Sequence, residues 1–374
     1  MKNIFFISID PLIHRRRVIN QIETAKNMGW NVSAISVGPH IQDKAGFPVF
    51  YINRPFKKGP LKFLHFNLKT FNILKKEKVD IIHARGLWVL PSILVFRFFK
   101  KFKLIYDAHE FFAGHELFQN HLWRRLTWLK LEKAAVSKID SFITVSEPLG
   151  EFYKKLYPNI KRLDIIRSLP KQHITKIEKK VDDKKIKEIV FHGYFLPGRG
   201  LIQLIQATSK IENPEFHLTL IGEGILENEL KKEINKNNMS DKISIEPMVE
   251  SGKLLNKIET KDLGIALIEA DSINRKYALP NKFFEYIQAG IPVLASNIPT
   301  LMEYVEKYQV GLTANPNSID DIAEKLQTML SDSNLFTKFS ANCFKASKEL
   351  CWENESKKLK NIYYEISNPS DRKD

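Results

Sequence analysis

Apolar runs alternate with segments of helical period along most of the chain, and this alternation constrains the fold more than any other feature. Asn3–Ile9 is apolar at most positions, as expected for a parallel strand that is buried on both faces. Arg17–Met28 follows with apolar residues at helical spacing, and Gly29 suits the left-handed end of a helix. Repetition of this unit predicts an α/β fold in which helices cover both faces of parallel sheets.

The alternation is interrupted in residues 169–187, which are rich in Lys and Asp and show little apolar periodicity. We therefore predict two doubly wound, Rossmann-like domains, at 1–168 and 188–350, joined by a linker at 169–187. Residues 351–374 are predicted to form a C-terminal helix that could pack back on the first domain. Because such sheets bind ligands at the carboxyl ends of their strands, a cleft between two facing domains is the expected active site.

The positive charge of the chain is concentrated in its first half. The formal net charge is +15, yet residues 1–170 contain 29 Lys and Arg against 13 Asp and Glu, and the remainder contains 29 against 30. Two basic runs, Arg54–Lys69 and Arg97–Lys103, also contain several Phe residues. This composition suits an anionic membrane surface, a nucleic acid, or ordinary solvated helix faces. We expect the first domain to face a membrane, with Phe56, Phe63, Phe98 or Phe102 partly buried in lipid.

Several features indicate a cytoplasmic protein that could bind peripherally to the inner face of the cell membrane. The two cysteines, Cys343 and Cys351, make no disulfide framework. The first apolar run is too short for a signal peptide. The longest apolar run, Leu87–Phe96, contains a proline and is shorter than the roughly 20 residues of a membrane span. Cys and His residues do not cluster at metal-ligand spacing, so no metal site is predicted.

The segment Leu279–Ser296 carries the strongest chemical signal. Pro280 and Asn281 open a predicted helix that Gly290 closes, and Lys282 and Glu285 share one face near its N-terminus. The free N–H groups of a helix N-terminus suit a diphosphate, and a glutamate one turn further suits the hydroxyls of a ribose. A helix with a Lys–Glu pair and a glycine stop is also common in proteins without such a site.

Two glycine-containing turns precede this helix. In Phe191–Leu201 a strand ends at His192 and leads through Gly193 to a helix that begins near Gly200. Glycines allow the backbone to approach a phosphate closely, and Arg199 at the helix start can bind one in bidentate fashion. Turns of this kind occur in many α/β proteins, as does the strand and Gly-x-Gly turn at Ile221–Gly224.

The segment Leu279–Ser296 resembles the donor-site motif of retaining family 4 glycosyltransferases, which have the two-domain GT-B fold. A bacterial polysaccharide subgroup has the same Leu-Pro-Asn-Lys form. The resemblance implies that Glu285 binds the nucleotide ribose. Many members have a second glutamate eight residues earlier, where this chain has Tyr277, and an arginine where it has Tyr194. Arg199 stands where the family usually has a lysine, so Arg199 and Lys282 are expected to supply the charges for a diphosphate.

The resemblance implies transfer of a sugar, with retention, from a nucleoside diphosphate sugar to a glycan or lipid-linked acceptor in cell-surface polysaccharide assembly, without a cofactor. Predicted partners are that donor, that acceptor and an anionic membrane surface, but no nucleic acid. The predicted catalytic residues are His109, Arg199 and Lys282. The predicted donor-binding residues are Gly193, Arg199, Gly200, Gly222, Asn281, Lys282 and Glu285.

Other assignments in the first half are less specific. His109 follows a predicted strand, and a family histidine often lies in this neighbourhood, so it could orient the sugar or hold the acceptor. His83 is interpreted as structural. The three arginines Arg15, Arg16 and Arg17 could meet a phosphate or begin a solvated helix.

Three other functions remain open at this level. They are a sugar-nucleotide epimerase of the same fold, a basic protein that binds nucleic acid, and a subunit that has lost catalysis, for which Tyr194 and Tyr277 are the motive. The nucleic-acid hypothesis rests on charge alone, because the chain contains no recognised nucleic-acid-binding motif.

Overall fold

A computed structural model describes residues 1–12, 16–38, 46–53, 55–56, 59–114, 121–173 and 186–368. The chain forms two compact units. Unit 1 contains Met1–Ser168 and the chain from Glu355 onward, and unit 2 contains Leu169–Asn354. Arg15, Arg54, Lys57, Lys58 and most of the predicted linker (174–185) lie outside the described residues.

Unit 1 is built on a seven-stranded parallel sheet. Its strand order is β3-β2-β1-β4-β5-β6-β7, and β1 lies between β2 and β4 with Ile4 opposite Val32 and Ile81. The strands are β1 (Asn3–Ser8), β2 (Asn31–Val37), β3 (Val49–Ile52), β4 (Ile81–Arg85), β5 (Lys103–Asp107), β6 (Ser141–Thr144) and β7 (Leu163–Ile165). The helices are α1 (Arg16–Lys26), α2 (Pro60–Lys76), α3 (Leu90–Phe96), α4 (Leu122–Val136), α5 (Glu147–Leu156) and α14 (Trp352–Ser367), whose first three residues belong to unit 2.

The strand order decides which helices share a face of this sheet. Connections between parallel strands are right-handed, so a connection that runs toward β7 lies on the opposite face from one that runs toward β3. The α1 connection runs toward β3, whereas the connections through α2, α3 and α4 all run toward β7. Helices α2, α3 and α4 therefore form one layer, in which α3 contacts both of the others. They begin at the carboxyl edge of the sheet and end at its amino edge.

The last helix of the chain, α14, is anchored in unit 1 by buried polar contacts. Glu355 is fully buried, and its carboxylate accepts hydrogen bonds from the Arg167 backbone N–H (2.8 Å) and the Arg167 Nη2 (2.6 Å). Further along the same helix, the Tyr363 hydroxyl lies 2.9 Å from His83 Nδ1. The final helix thus completes the unit that the first half of the chain begins.

Unit 2 contains a six-stranded parallel sheet in the order β10-β9-β8-β11-β12-β13. The strands are β8 (Lys187–His192), β9 (Phe216–Ile221), β10 (Ile243–Glu246), β11 (Leu263–Ala266), β12 (Val293–Ser296) and β13 (Gly311–Ala314). The helices are α6 (Leu201–Thr208), α7 (Glu227–Lys236), α8 (Ser251–Ile258), α9 (Ile273–Lys276), α10 (Asn281–Gln288), α11 (Pro299–Tyr308), α12 (Ile319–Ser331) and α13 (Ser333–Glu349). Two sheets of this kind confirm the predicted α/β fold with two Rossmann-like halves.

Tyr286 fixes α10 against the centre of the second sheet. Its ring occupies the space that a side chain at Gly264 in β11 would need, because a Cβ there would lie 2.3 Å from the ring. Its hydroxyl accepts from the His192 N–H (3.2 Å) and lies 3.2 Å from the Val190 carbonyl. The start of α10 is thereby held at the carboxyl end of β8.

Among the described helices, none is both long enough and apolar enough to cross a lipid bilayer.

Replacing Glu355 by Ala is expected to lower the free energy of unfolding by about 3–5 kcal/mol, because it leaves the guanidinium of Arg167 without its buried carboxylate. Chemical denaturation monitored by circular dichroism measures the change. Lys358, which is half-exposed and contacts the same carboxylate at 3.3 Å, provides the control. Lys358→Ala should change stability by less than about 0.5 kcal/mol, and an equally small effect of Glu355→Ala would contradict the anchoring role.

Candidate functional site

Two glycine turns of unit 2 dock against each other at the carboxyl edge of its sheet. The Gly193 N–H donates to the Ile221 carbonyl (2.9 Å), and the Phe195 N–H donates to the Glu223 carbonyl (2.8 Å). A Cβ at Gly222 would lie only 1.9 Å from the Gly193 carbonyl oxygen. Gly222, predicted from sequence to bind the donor, therefore has a packing role that requires glycine, and direct donor contact by this residue stays a prediction.

Lys282 lies at the start of α10 and reaches back to β8. Its Nζ is 3.5 Å from the centroid of the Phe191 ring, and a Cβ at Gly193 would lie 3.4 Å from the same nitrogen. Burial lowers the pKa of Lys282 well below its usual range, the nearby charge of Arg199 lowers it further, and Glu285 opposes both effects. The ammonium therefore lies in a setting that an added anion would stabilise.

Arg199 and Arg275 bring two more cations to the same turn. Burial and the charge of Arg275 lower the pKa of Arg199. Arg275, from the short helix α9, donates to the Pro197 carbonyl (3.1 Å), pairs with Asp271, and places its Nη1 where a Cβ on Gly198 would lie (1.8 Å). The sequence does not predict Arg275 as a site residue, because nothing in the local pattern of α9 connects it to a turn 78 residues earlier.

Glu285 is buried one turn into α10, with 5% of its surface exposed. Its Oε2 lies 3.3 Å from Nε2 of His192, the last residue of β8, and the His192 ring meets Tyr286 edge to face. The sequence does not predict His192 as a partner of this carboxylate. A carboxylate has about four lone-pair directions, so Glu285 can face His192 and also accept from hydroxyl groups.

Helices α6 and α10 begin at this edge without a side-chain cap. Gly200, in the left-handed conformation with φ of 63°, begins α6, and Pro280 precedes α10, whose exposed first residue is Asn281. The first N–H groups of an uncapped helix can bind an anion. The structure thus brings Gly193, Arg199, Lys282 and Glu285 together at one edge of unit 2, with Gly200 and Asn281 at the two helix starts.

His109 lies in unit 1, just beyond the carboxyl end of β5. Its Nε2 is 2.9 Å from Nη2 of Arg85, and Nη1 of Arg85 is 3.0 Å from Oδ2 of Asp10. A guanidinium can only donate, so Nε2 accepts and the ring proton is on Nδ1. The Nδ1 atom is buried. Arg85 was missed by sequence analysis, although it ends the strand beside β5.

The imidazole of His109 is held neutral. Burial lowers its pKa well below the usual range, and the adjacent charge of Arg85 lowers it further. The ring packs edge to face on Phe112, with centroids 5.2 Å apart. His109 is therefore a fixed, neutral group whose ring proton is on the buried Nδ1.

Arg17 does not fit either role considered for it from the sequence, so that prediction is wrong. The residue is buried, and it donates to Asp107 from Nε (3.1 Å) and Nη2 (2.9 Å) and to the Ile166 carbonyl from Nη1 (2.5 Å). Burial alone would raise the pKa of Asp107, but Arg17 and the nearby His83 hold it well below its usual range. The pair fixes the end of β5, two residues before His109.

The described residues contain no group of three or more His, Cys, Asp and Glu side chains placed to hold a metal ion.

Known proteins resemble this chain in sequence and in fold. Residues 15–167 match the model of Glycosyltransferase Family 4, and residues 172–346 match that of Glycosyl transferases group 1. An uncharacterized glycosyltransferase of Methanocaldococcus jannaschii is 24% identical over 48% of this chain and 48% of its own length. Chitobiosyldiphosphodolichol beta-mannosyltransferase of Candida albicans is 23% identical over 50% of this chain and 42% of its own. The chain thus spans about half the length of these curated relatives.

A solved structure of Anabaena HepE in complex with UDP-glucose has a TM-score of 0.76 and 15% identity, and the match covers 98% of this chain and 100% of that one. This likeness and the two sheets define a protein of the GT-B fold, which confirms the predicted fold. The two family models, which follow each other along the chain, show a glycosyltransferase domain of the family 4 type in the first half and one of the group 1 type in the second.

The stability of the fold should fall as the pH is lowered from about 6.5 to 5, and His109 should contribute to this. The unfolded chain takes up a proton at this histidine near its ordinary pKa of about 6.5, whereas the folded chain does not. His109→Asn should therefore reduce the pH slope of the unfolding free energy by up to about 1.4 kcal/mol per pH unit. Urea denaturation at a series of pH values measures this slope.

The exposed His121 supplies the matched control, since His121→Asn removes a histidine outside any buried environment. Equal slopes in the wild type and in the His109→Asn protein would show that His109 is protonated in the fold.

Proposed function

We propose that this glycosyltransferase moves a sugar from a nucleoside diphosphate sugar to a glycan or lipid-linked acceptor, and that unit 2 binds the donor. The observation that carries the proposal is the cluster of Arg199, Lys282 and Arg275 beside the buried carboxylate of Glu285 at the carboxyl edge of unit 2. The Anabaena protein forms a complex with UDP-glucose, which supports a donor of this class.

The site is suited to stabilise negative charge on the leaving group. When the bond from the sugar to the diphosphate breaks, the electron pair stays on the phosphate oxygen and the diphosphate becomes more negative. Arg199, Lys282 and the N–H groups at the start of α10 can stabilise that charge without rearrangement. A bound diphosphate also favours the ammonium form of Lys282, whose pKa burial otherwise lowers. This arrangement needs no metal ion, and activity should persist in a chelator.

The neutral ring of His109 is proposed to donate from Nδ1 to a hydroxyl group of the transferred sugar or of the acceptor. Its fixed tautomer, set by Arg85, supports this role. Unit 1 is accordingly assigned to the acceptor side of the reaction.

Retention of the anomeric configuration and a place in cell-surface polysaccharide assembly are proposed from the Leu-Pro-Asn-Lys form of the donor motif. Transfer would proceed by attack from the face that the leaving group occupies. The name of the Candida relative refers to a beta linkage and to a lipid-linked acceptor. NMR of the first-formed product tests retention, because it assigns the configuration of the new anomeric centre. That configuration is compared with the configuration of the sugar in the donor.

The reaction is proposed to take place at the inner face of the cell membrane, where a cytoplasmic enzyme meets a lipid-linked acceptor. The excess positive charge of residues 1–170 supports attraction to an anionic leaflet.

A nucleotide panel tests the proposed function as a whole. Thermal shift with UDP, GDP, ADP, CMP and their sugars should show stabilisation by one nucleoside diphosphate and its sugar, because a ligand that binds only the folded state raises its stability. Interconversion of the bound sugar nucleotide without any acceptor would identify an epimerase instead. Absence of stabilisation by every nucleotide would overturn the donor assignment.

Glu285→Gln should weaken nucleotide binding by about 1–3 kcal/mol while the fold stays intact, because the variant loses a charged acceptor for two ribose hydroxyls. Isothermal titration with the nucleotide selected by the panel measures the change. The control is Glu303→Gln, which alters an exposed carboxylate on α11. An unchanged affinity in a folded Glu285→Gln protein would rule out the ribose contact.

Arg199→Ala and Lys282→Ala should each lower kcat by roughly 100-fold, with a smaller effect on donor affinity, since the diphosphate gains charge only as the sugar leaves. Steady-state kinetics with saturating donor separates the two effects. Lys253→Ala, at an exposed lysine of α8, is the control for lost positive charge. Near-native turnover in the double variant would exclude the electrostatic role of both residues.

A further inference from the structure

We propose that unit 1 binds an anionic membrane through one defined surface, the α2–α4 patch. The patch consists of Leu61, Leu64 and Leu68 of α2 and Leu122, Trp123 and Leu126 of α4. The inference rests on the proposed function, because it assigns the place where a lipid-linked acceptor approaches unit 1.

The side chains of the patch are large, apolar and exposed. Their exposed fractions run from 47% at Leu126 to 66% at Leu122 and Trp123. Leu61, Leu64 and Leu68 are spaced by three and four residues, so they share one face of α2, away from the buried Phe66 and Thr70. Exposed apolar side chains that lie together on a protein surface mark an interaction site.

An aromatic cluster beneath the patch connects the two helices. Phe63 of α2 stacks on Trp88 with centroids 4.8 Å apart, and Trp128 of α4 meets Trp88 at 4.7 Å and Phe63 at 5.9 Å. These contacts fix the spacing of α2 and α4. The helices that carry the patch are therefore held together before any lipid is bound.

The charges around the patch select an anionic partner. Residues 59–76 contain no Asp or Glu, and neither do residues 121–131. Basic side chains lie among the apolar ones, at Lys62, Lys69, Arg124, Arg125 and Lys130. A second copy of this chain would bring like charge to the surface, and nucleic acid would leave the leucines without a suitable partner. An anionic leaflet satisfies both the positive charge and the apolar side chains.

The patch lies toward the edge of unit 1 that carries His109. Helices α2 and α4 follow strands β3 and β5, so their first turns are at the carboxyl edge of the sheet, where β5 leads to His109. The second basic run lies differently, because Phe98 and Phe99 follow the end of α3 at the amino edge. The prediction that Phe102 contacts lipid is wrong, since that residue is 7% exposed and stacks on Phe96 in the core.

Co-sedimentation of the full chain with vesicles tests the assignment. The vesicles contain phosphatidylcholine alone or with about 30 mol% phosphatidylglycerol, and the salt concentration is varied, because screening weakens surface attraction. The test variant is Leu64→Ser, Leu68→Ser, Trp123→Ser. The matched control is Phe98→Ser, Phe99→Ser, which removes aromatic residues that are 81% and 64% exposed at the opposite edge.

The wild type should bind the anionic vesicles and release them at high salt. The triple variant should lose at least about tenfold in partitioning, and the control should remain within about twofold of the wild type. Unchanged vesicle binding by the triple variant would overturn the proposal, as would an equal loss in the control. Sedimentation velocity without lipid tests for binding of a second copy of the chain. A salt-titrated duplex-binding assay tests for binding of nucleic acid. A dimer, or a nucleic-acid complex, that the triple variant abolishes would also overturn it.

Melting temperature and nucleotide affinity are measured on the same proteins and should be unchanged, because every substituted residue is exposed. If the wild type binds nucleotide but the triple variant retains full vesicle binding, only the membrane surface is wrong. If the wild type binds no nucleotide, the proposed function fails whatever the vesicles show.

Discussion

The buried pair of Arg17 and Asp107 is the interaction on which unit 1 depends. Asp107 ends strand β5, and its carboxylate also accepts from Gln21 at 2.8 Å. Arg17 joins it to α1 and, through the Ile166 carbonyl, to the chain beyond β7. Since a buried ion pair is costly to leave half-made, these elements must assemble together. The position of His109 two residues later follows from that assembly.

The alternating pattern could predict the fold because each strand and helix is marked locally, and Lys282 and Glu285 could be found because both lie in one helix. Their partners could not be found in this way. Arg275 and His192 reach the site through the order of strands in the sheet, which the local pattern does not contain. The same holds within one basic run, where Phe102 enters the core and Phe98 faces water although their neighbours are alike.

Charge is distributed differently in the two units. Unit 2 has almost no net charge, yet it concentrates cations at a single edge, where burial and mutual repulsion keep Arg199 and Lys282 less basic than they are in water. Unit 1 carries the excess charge of the chain, spread over helices whose outer faces also expose leucine and tryptophan. A focused field suits a small anionic ligand, whereas a diffuse one suits an extended surface.

The return of α14 to unit 1 has a topological consequence. The backbone passes from one unit to the other at Ser168 and Leu169 and passes back at Asn354 and Glu355. Unit 1 is therefore discontinuous in sequence, and unit 2 is an insertion within it. A single cut of the backbone between residues 174 and 185 would leave the two units covalently joined through the second crossing. No single cleavage point divides the chain into two complete units.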